Sequence, residues 1–154
     1  MKPTLPFVAA VAASLLACGP DETSCPAIAC NENTTIRIEP AITHAGSYDV
    51  TLHVDGAQVS CLVPIPLDRG QPACAAGEGL GVRDVSFWAG NEGGLAEIRI
   101  DRIASLVRVE IGLERQVVVD AEVTPAYSEE QLGNLFCFGD PIMCGRATGT
   151  VSPK

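Results

Sequence analysis

Tyr48-Asp49-Val50-Thr51-Leu52-His53-Val54-Asp55-Gly56-Ala57-Gln58-Val59-Ser60-Cys61-Leu62-Val63 is the stretch on which the fold turns. Tyr48, Val50, Leu52 and Val54 alternate with Asp49, Thr51 and His53, so an extended chain puts every apolar side chain on one face. Asp55-Gly56 follows and supplies the positive φ values of a tight hairpin turn. The chain from Ala57 to Val63 then returns as the partner strand, with Val59 and Cys61 on one face.

A second pair obeys the same rule. Val107, Val109, Ile111 and Leu113 alternate with Arg108, Glu110 and Gly112. Glu114-Arg115-Gln116 leads into Val117, Val119, Ala121 and Val123, interleaved with Val118, Asp120 and Glu122. Further strands are expected over 35–39, 85–89, 96–101 and 147–151. Short strands and turn residues at this spacing predict an all-β fold, an antiparallel β-sandwich of Ig-like or transthyretin-like architecture stapled by disulfides. Ser128-Glu129-Glu130-Gln131 has the pattern of a capping box, and Gly133 is suited to end a helix, so the one short helical turn is expected there. No repeat of 20–50 residues runs through the chain, which argues against a solenoid or propeller.

Upstream of this domain the sequence changes character. Lys2 is followed by an uncharged apolar run from Phe7 to Ala17. A charged start, a short apolar stretch and small residues at its end describe a secretory signal peptide. The run falls short of the ~20 residues that span a bilayer. Gly19-Pro20-Asp21, coming at once, fits poorly with a buried N-terminal helix. Leu15-Leu16-Ala17-Cys18 resembles the lipobox of bacterial lipoproteins. The resemblance implies cleavage before Cys18, acylation of that cysteine and, from Gly19 after it, sorting to the outer rather than the inner membrane. The expected organisation is a signal peptide over 1–17, a lipidated tether over 18–29 and the sandwich domain over 30–154.

The cysteines support this division. There are seven: Cys18, Cys25, Cys30, Cys61, Cys74, Cys137 and Cys144. An odd number in an exported protein leaves one thiol over. Giving Cys18 to lipid leaves six for three bridges, whereas an ordinary signal peptide would leave Cys18 to pair with another thiol. Six cysteines allow 15 connectivities. Cys61 and Cys74 bracket a proline-rich loop and suggest a local bridge. Cys25 with Cys137, and Cys30 with Cys144, would tie the two ends of the domain together. The mature part is similar to small cysteine-rich envelope lipoproteins without an assigned activity. That likeness rests on the Cys pair before the first strand, on YDVTLHVDG leading to a Cys, and on Tyr127, Asn134, Cys137, Cys144 and Ala147 near the end.

Composition excludes several functions. The formal charge of −9 becomes −10 once Lys2 leaves with the signal, and the mature chain keeps eight Arg with Lys154 as its only lysine. Nucleic-acid binding depends on clustered Lys and Arg, and no sequence cluster exists. An acidic surface is also repelled by anionic headgroups, which leaves the lipid to hold the protein at the membrane. His44 and His53 stand apart from other ligand types, so neither a metal nor a catalytic role is expected. HExxH and GxSxG are missing, and the glycine-rich stretches 77–81 and 90–94 lack the Lys and Ser/Thr of a phosphate loop. Asp120 and Glu122 share a strand face in the manner of a solvated surface, and Glu129 and Glu130 form no separate acid/base pair. Asp68, Asn91 and Glu92 are too scattered to form an EF-hand. Asn33-Thr34-Thr35 matches a glycosylation sequon but reads as an unmodified strand entry.

No cofactor is expected, nor an enzyme. The sequence points to a membrane-anchored binding or structural module. A recognition module for a carbohydrate or an envelope protein is the alternative, built on the loop from Phe136 to Met143 with Phe136, Phe138 and Trp88 as contact residues. Capping the open end of the sandwich is the more usual role for aromatics beside disulfides. A hydrolase with an unrecognised site is the remaining alternative.

Overall fold

The computed structural model describes residues 32–77, 79–132 and 142–154. Two five-stranded sheets face one another across an aliphatic core. The chain enters at β1 (Asn33–Ile42) in the first sheet and moves to the second for β2 (Gly46–Val54), β3 (Ala57–Ile65) and β4 (Ala73–Ala76). It returns for β5 (Val85–Ala89) and β6 (Leu95–Ile100), crosses again for β7 (Val107–Leu113) and β8 (Gln116–Val123), and ends with β9 (Ala126–Leu132) and β10 (Ile142–Val151). The strand orders are β5-β6-β1-β10-β9 and β4-β3-β2-β7-β8. The predicted sandwich is thus the observed architecture.

Alternation becomes packing in the way the sequence requires. Tyr48, Val50, Leu52 and Val54 of β2 are all buried, as are Val59, Cys61, Val63 and Ile65 of β3. Ile36, Ile38, Ile98 and Ile100 meet them from the first sheet. Between the sheets, Gly149 lets Val123 approach: a Cβ there would lie 2.8 Å from Val123 Cγ2 and 3.2 Å from Ile36 Cδ1.

Both hairpin turns are of the two-residue kind. Asp55 and Gly56 adopt φ values of 48° and 87°. The Asp55 carboxylate also accepts hydrogen bonds from the backbone N–H groups of Ser105 and Leu106, at 3.1 and 2.9 Å, so the hairpin tip is docked on the β6–β7 connection. In the second hairpin Leu113 pairs with Gln116, which leaves Glu114 and Arg115 as the turn, with φ values of 49° and 70°.

Four features depart from expectation. β1 and β10 pair in parallel, from Asn33 opposite Arg146 to Ile38 opposite Val151, so the first and last strands of the domain meet in the middle of one sheet. β1 also runs longer than predicted and breaks register with β6 between Arg37 and Ile42, where Pro40 has no N–H to donate. Residues 128–131 are strand, not helix: they pair antiparallel with β10, Ser128 opposite Arg146. Gly133 comes two residues after the capping-box pattern and leaves too short a run for a stable helix, so the ladder to β10 wins. A bulge beside Gly112 inverts the start of β8. Val117 is left 59% exposed, while Val118 packs against the core. The only helical segments among the described residues are two 3-10 turns, Leu67–Arg69 and Val82–Asp84.

Cys61 and Cys74 lie directly opposite one another on β3 and β4 and form a disulfide, the local bridge the sequence suggested. Cys144 is disulfide-bonded as well. Cys25, Cys30 and Cys137, and with them the two expected end-to-end pairings, lie outside the described residues.

Tyr48 is the largest buried side chain among the described residues, and its hydroxyl donates to the His44 carbonyl at 2.9 Å. Burial raises its pKa above the ordinary tyrosine value. The folded state therefore holds this proton more tightly than the unfolded chain, and stability falls as pH rises above about 10. Tyr48→Phe should cost about 1 kcal/mol at neutral pH through the lost hydrogen bond. It should also flatten the alkaline decline, which urea unfolding between pH 8 and 11 would read. An equal alkaline decline in wild type and variant would remove Tyr48 as its source.

Candidate functional site

The outer faces of the two sheets are built alike but differ in how their charges are used. On the second sheet, Asp49, Thr51, His53, Arg108, Glu110 and Asp120 point outward. All of these but His53 surround a depression of about 250 Å³ over Gly112, where no side chain fills the surface. Glu110 and Asp120 are directly opposed. Arg108 lies between them, 2.9 Å from the Glu110 carboxylate and 3.2 Å from that of Asp120. His53 Nε2 is 3.9 Å from the same Glu110 oxygen, and the Thr51 and Ser60 hydroxyls are 3.2 Å apart. This is a ladder of cross-strand pairs in which Arg108 is held between Glu110 and Asp120.

The first sheet is different. Its edge strand β5 carries Trp88, 50% exposed. The indole is held from two sides. Its Nε1 donates to Ser86 Oγ at 3.1 Å, and the Arg99 guanidinium lies 4.6 Å from the ring centroid. Arg99 in turn donates from Nη2 to Glu97 at 3.1 Å. Because β5, β6, β1 and β10 are neighbours, outward residues far apart in sequence fall into cross-strand rows. Trp88, Glu97, Arg37 and Thr150 form one row; Ser86, Arg99, Thr35 and Thr148 form the next; Asn33 and Arg146 follow.

Two adjoining depressions run along these rows. One, of about 500 Å³, is lined by Trp88, Arg37, Glu39, Glu97 and Arg99 together with small apolar side chains. The other, of about 240 Å³, is lined by Asn33, Thr35, Arg37, Glu97, Arg99, Arg146 and Thr148. Arg37, Glu97 and Arg99 belong to both, so the two form one groove from an aromatic end to a cationic end. A fixed aromatic face beside a row of guanidinium, hydroxyl and amide groups can stack an apolar ring surface and hydrogen-bond the polar groups around it.

The remaining sequence candidates are dispersed. His44 contributes its carbonyl to Tyr48, and Glu129 accepts the Tyr127 hydroxyl at 3.2 Å. Desolvation raises the Tyr127 pKa, helped by the Glu129 charge, this hydrogen bond and the Glu32 charge. Asp120 and Glu122 point outward on β8, and Asp120 is bound to Arg108. Asp68, Asn91 and Glu92 sit on exposed turns. No group of three His, Cys, Asp or Glu residues among those described could hold a metal ion. The glycine-rich stretch 90–94 closes the β5–β6 connection, with Gly90 N–H donating to the Gly94 carbonyl at 2.9 Å. Phe136, Phe138 and Cys18 lie outside the described residues, so of the proposed contact aromatics Trp88 alone is placed.

No protein-family model matches the chain, and no curated protein or solved structure is significantly similar to it.

Proposed function

We propose that this protein is a lipid-tethered, non-enzymatic recognition module of the cell envelope that binds carbohydrate through the outer face of its first sheet. The tether is the reading of residues 1–18: a charged start, a short apolar run and a lipobox-like Leu15-Leu16-Ala17-Cys18. The observation that carries the recognition role is Trp88, half exposed yet fixed by Ser86 and Arg99. An indole held in one orientation loses little side-chain entropy on contact and presents a flat ring to a ligand. Sugars offer the complement, a face of C–H groups edged by hydroxyls. Glu97, Arg37, Thr35 and Thr148 lie where such hydroxyls need partners. The polar groove suits a sugar better than a protein partner, whose contact patch is depleted in charge at its centre.

Two variants of the full chain test the two halves of this proposal. Cys18→Ser should move the protein from the membrane to the soluble fraction with its fold intact; continued membrane retention would sink the tether. Trp88→Ala should co-sediment with insoluble envelope polysaccharide about tenfold less than wild type, the equivalent of about 1.4 kcal/mol. Equal co-sedimentation would remove Trp88, and with it the first-sheet face, from recognition.

A further inference from the structure

Eight arginines are spread through a chain of net charge −9, yet three of them, Arg37, Arg99 and Arg146, line a single depression on the outer face of the first sheet. They come from β1, β6 and β10, three neighbouring strands. Thr35 pairs with Arg99 and Arg37 with Glu97, which makes Arg37 and Arg99 diagonal cross-strand neighbours, about 7–8 Å apart at the backbone. Two guanidinium groups at this spacing raise the local positive potential and favour an anion between them. Among the described residues Glu97 is the only carboxylate lining this depression, and it is engaged by Arg99. Arg37 is exposed and has no hydrogen-bond or ion-pair partner among the described residues. Arg99 Nε is buried without a hydrogen-bond partner among the described residues, and Nη2 is its one side-chain donor to Glu97.

From this groove we propose that the ligand is an acidic polysaccharide, a glycan whose sugar rings carry carboxylates. The inference rests on the carbohydrate-binding reading above and names the class of sugar. The ring of one residue stacks on Trp88, and carboxylates along the same strand of sugars meet Arg37 and Arg99. A guanidinium fork matches a planar carboxylate with two parallel N–H···O bonds. Thr35, Thr148 and Asn33 answer hydroxyls between them. A single-stranded nucleic acid also combines flat rings with anions, but it presents a phosphate at every unit and its binding scales with the number neutralised. Arg37 and Arg99 in an otherwise acidic protein fit a sparser charge.

Trp88 is the only tryptophan of the chain, so its fluorescence reports on the groove directly. The full chain, purified in detergent, is titrated with sodium alginate, with neutral dextran of similar length and with single-stranded oligothymidylate. Alginate should perturb the emission at a concentration at least tenfold below dextran, and added salt should weaken it. Arg37→Ala should weaken alginate binding about tenfold and Arg37→Lys by less, since charge is retained and the fork is lost. Dextran binding as tightly as alginate, or Arg37→Ala binding alginate like wild type, would overturn the acidic ligand while leaving the carbohydrate-binding reading in place. Tighter binding of oligothymidylate would overturn it in favour of a nucleic acid. No response to either glycan would overturn both readings together.

Discussion

Thr34→Val is expected to lower the stability of the domain by about 2–4 kcal/mol, although it exchanges side chains of nearly identical shape. Thr34 is fully buried and is the one polar residue among the buried core side chains described. Its hydroxyl donates to the Arg102 carbonyl at 2.7 Å and accepts from the Ala104 N–H at 2.8 Å. Valine removes both bonds at once and strands a carbonyl and an amide, each of which costs about 1–3 kcal/mol when left unpaired and buried. The segment 102–104 connects the first sheet to β7 of the second, so the hydroxyl fastens the crossing between sheets to β1. Thr34→Ser keeps the hydroxyl and should lose only the methyl contribution, about 1 kcal/mol. Thr35→Val, on the outer face of the same strand, is the control and should cost less than about 0.5 kcal/mol. Urea unfolding of the three variants checks the order. If Thr34→Val and Thr35→Val unfold at the same midpoint, the buried hydroxyl is not the fastening described.

Thr34 also marks how far the fold can be read from the chain. Period-two alternation is a statement about one strand and its two faces, and it located β2, β3, β7 and much of β8. It carries no information about which strand lies alongside, because pairing is decided by contacts made at long range. The parallel meeting of β1 and β10 was therefore hidden, and so was the role of Thr34, whose partners are some seventy residues away. Residues 128–131 were misleading because a capping box is a local signature, whereas β9 is decided by its ladder to β10. Alternation put Val117 on the inward face with Val119 and Val118 outward, and the bulge opposite Gly112 reverses the two.

The candidate site follows the same division. Trp88 was legible as the single tryptophan in a strand-like segment. The arginines around it were not. Each stands alone in its own strand, so a search for clustered basic residues along the sequence passes over Arg37, Arg99 and Arg146. Each could be assigned an outward position, since each alternates with apolar or small neighbours: Ile36 and Ile38, Ile98 and Ile100, Gly145 and Ala147. Their convergence needs the strand order β6-β1-β10, which only the tertiary structure supplies. Compositional reasoning remains valid at the level of the whole surface, which is acidic, and fails for this one patch.

The second large effect concerns the staple on the opposite sheet. Replacing Cys61 and Cys74 together by alanine should cost about 3 kcal/mol, the closure entropy of a loop of this size. The cysteines are 13 residues apart and directly opposed at the outer edge of the second sheet, where β4 contributes only four residues. So short an edge strand gains little from its own ladder, and the bridge limits how far the connection through Leu67–Arg69 can open. The double variant isolates this bridge, whereas a reductant would also attack the disulfide of Cys144. The loss should be local in the native state. β5 is held by its own ladder to β6 from Val85 to Ala89 and by the Asp101 N–H bond to the Asp84 carbonyl at 2.8 Å. Trp88 emission in native buffer should accordingly match wild type, while the urea midpoint falls and proteolysis between residues 62 and 73 accelerates. An unchanged midpoint would mean that the β3–β4 ladder stands without its bridge. A shifted native emission would mean that β4 and the Trp88 strand act as one unit, and that the bridge helps to shape the groove across the edge of the sandwich.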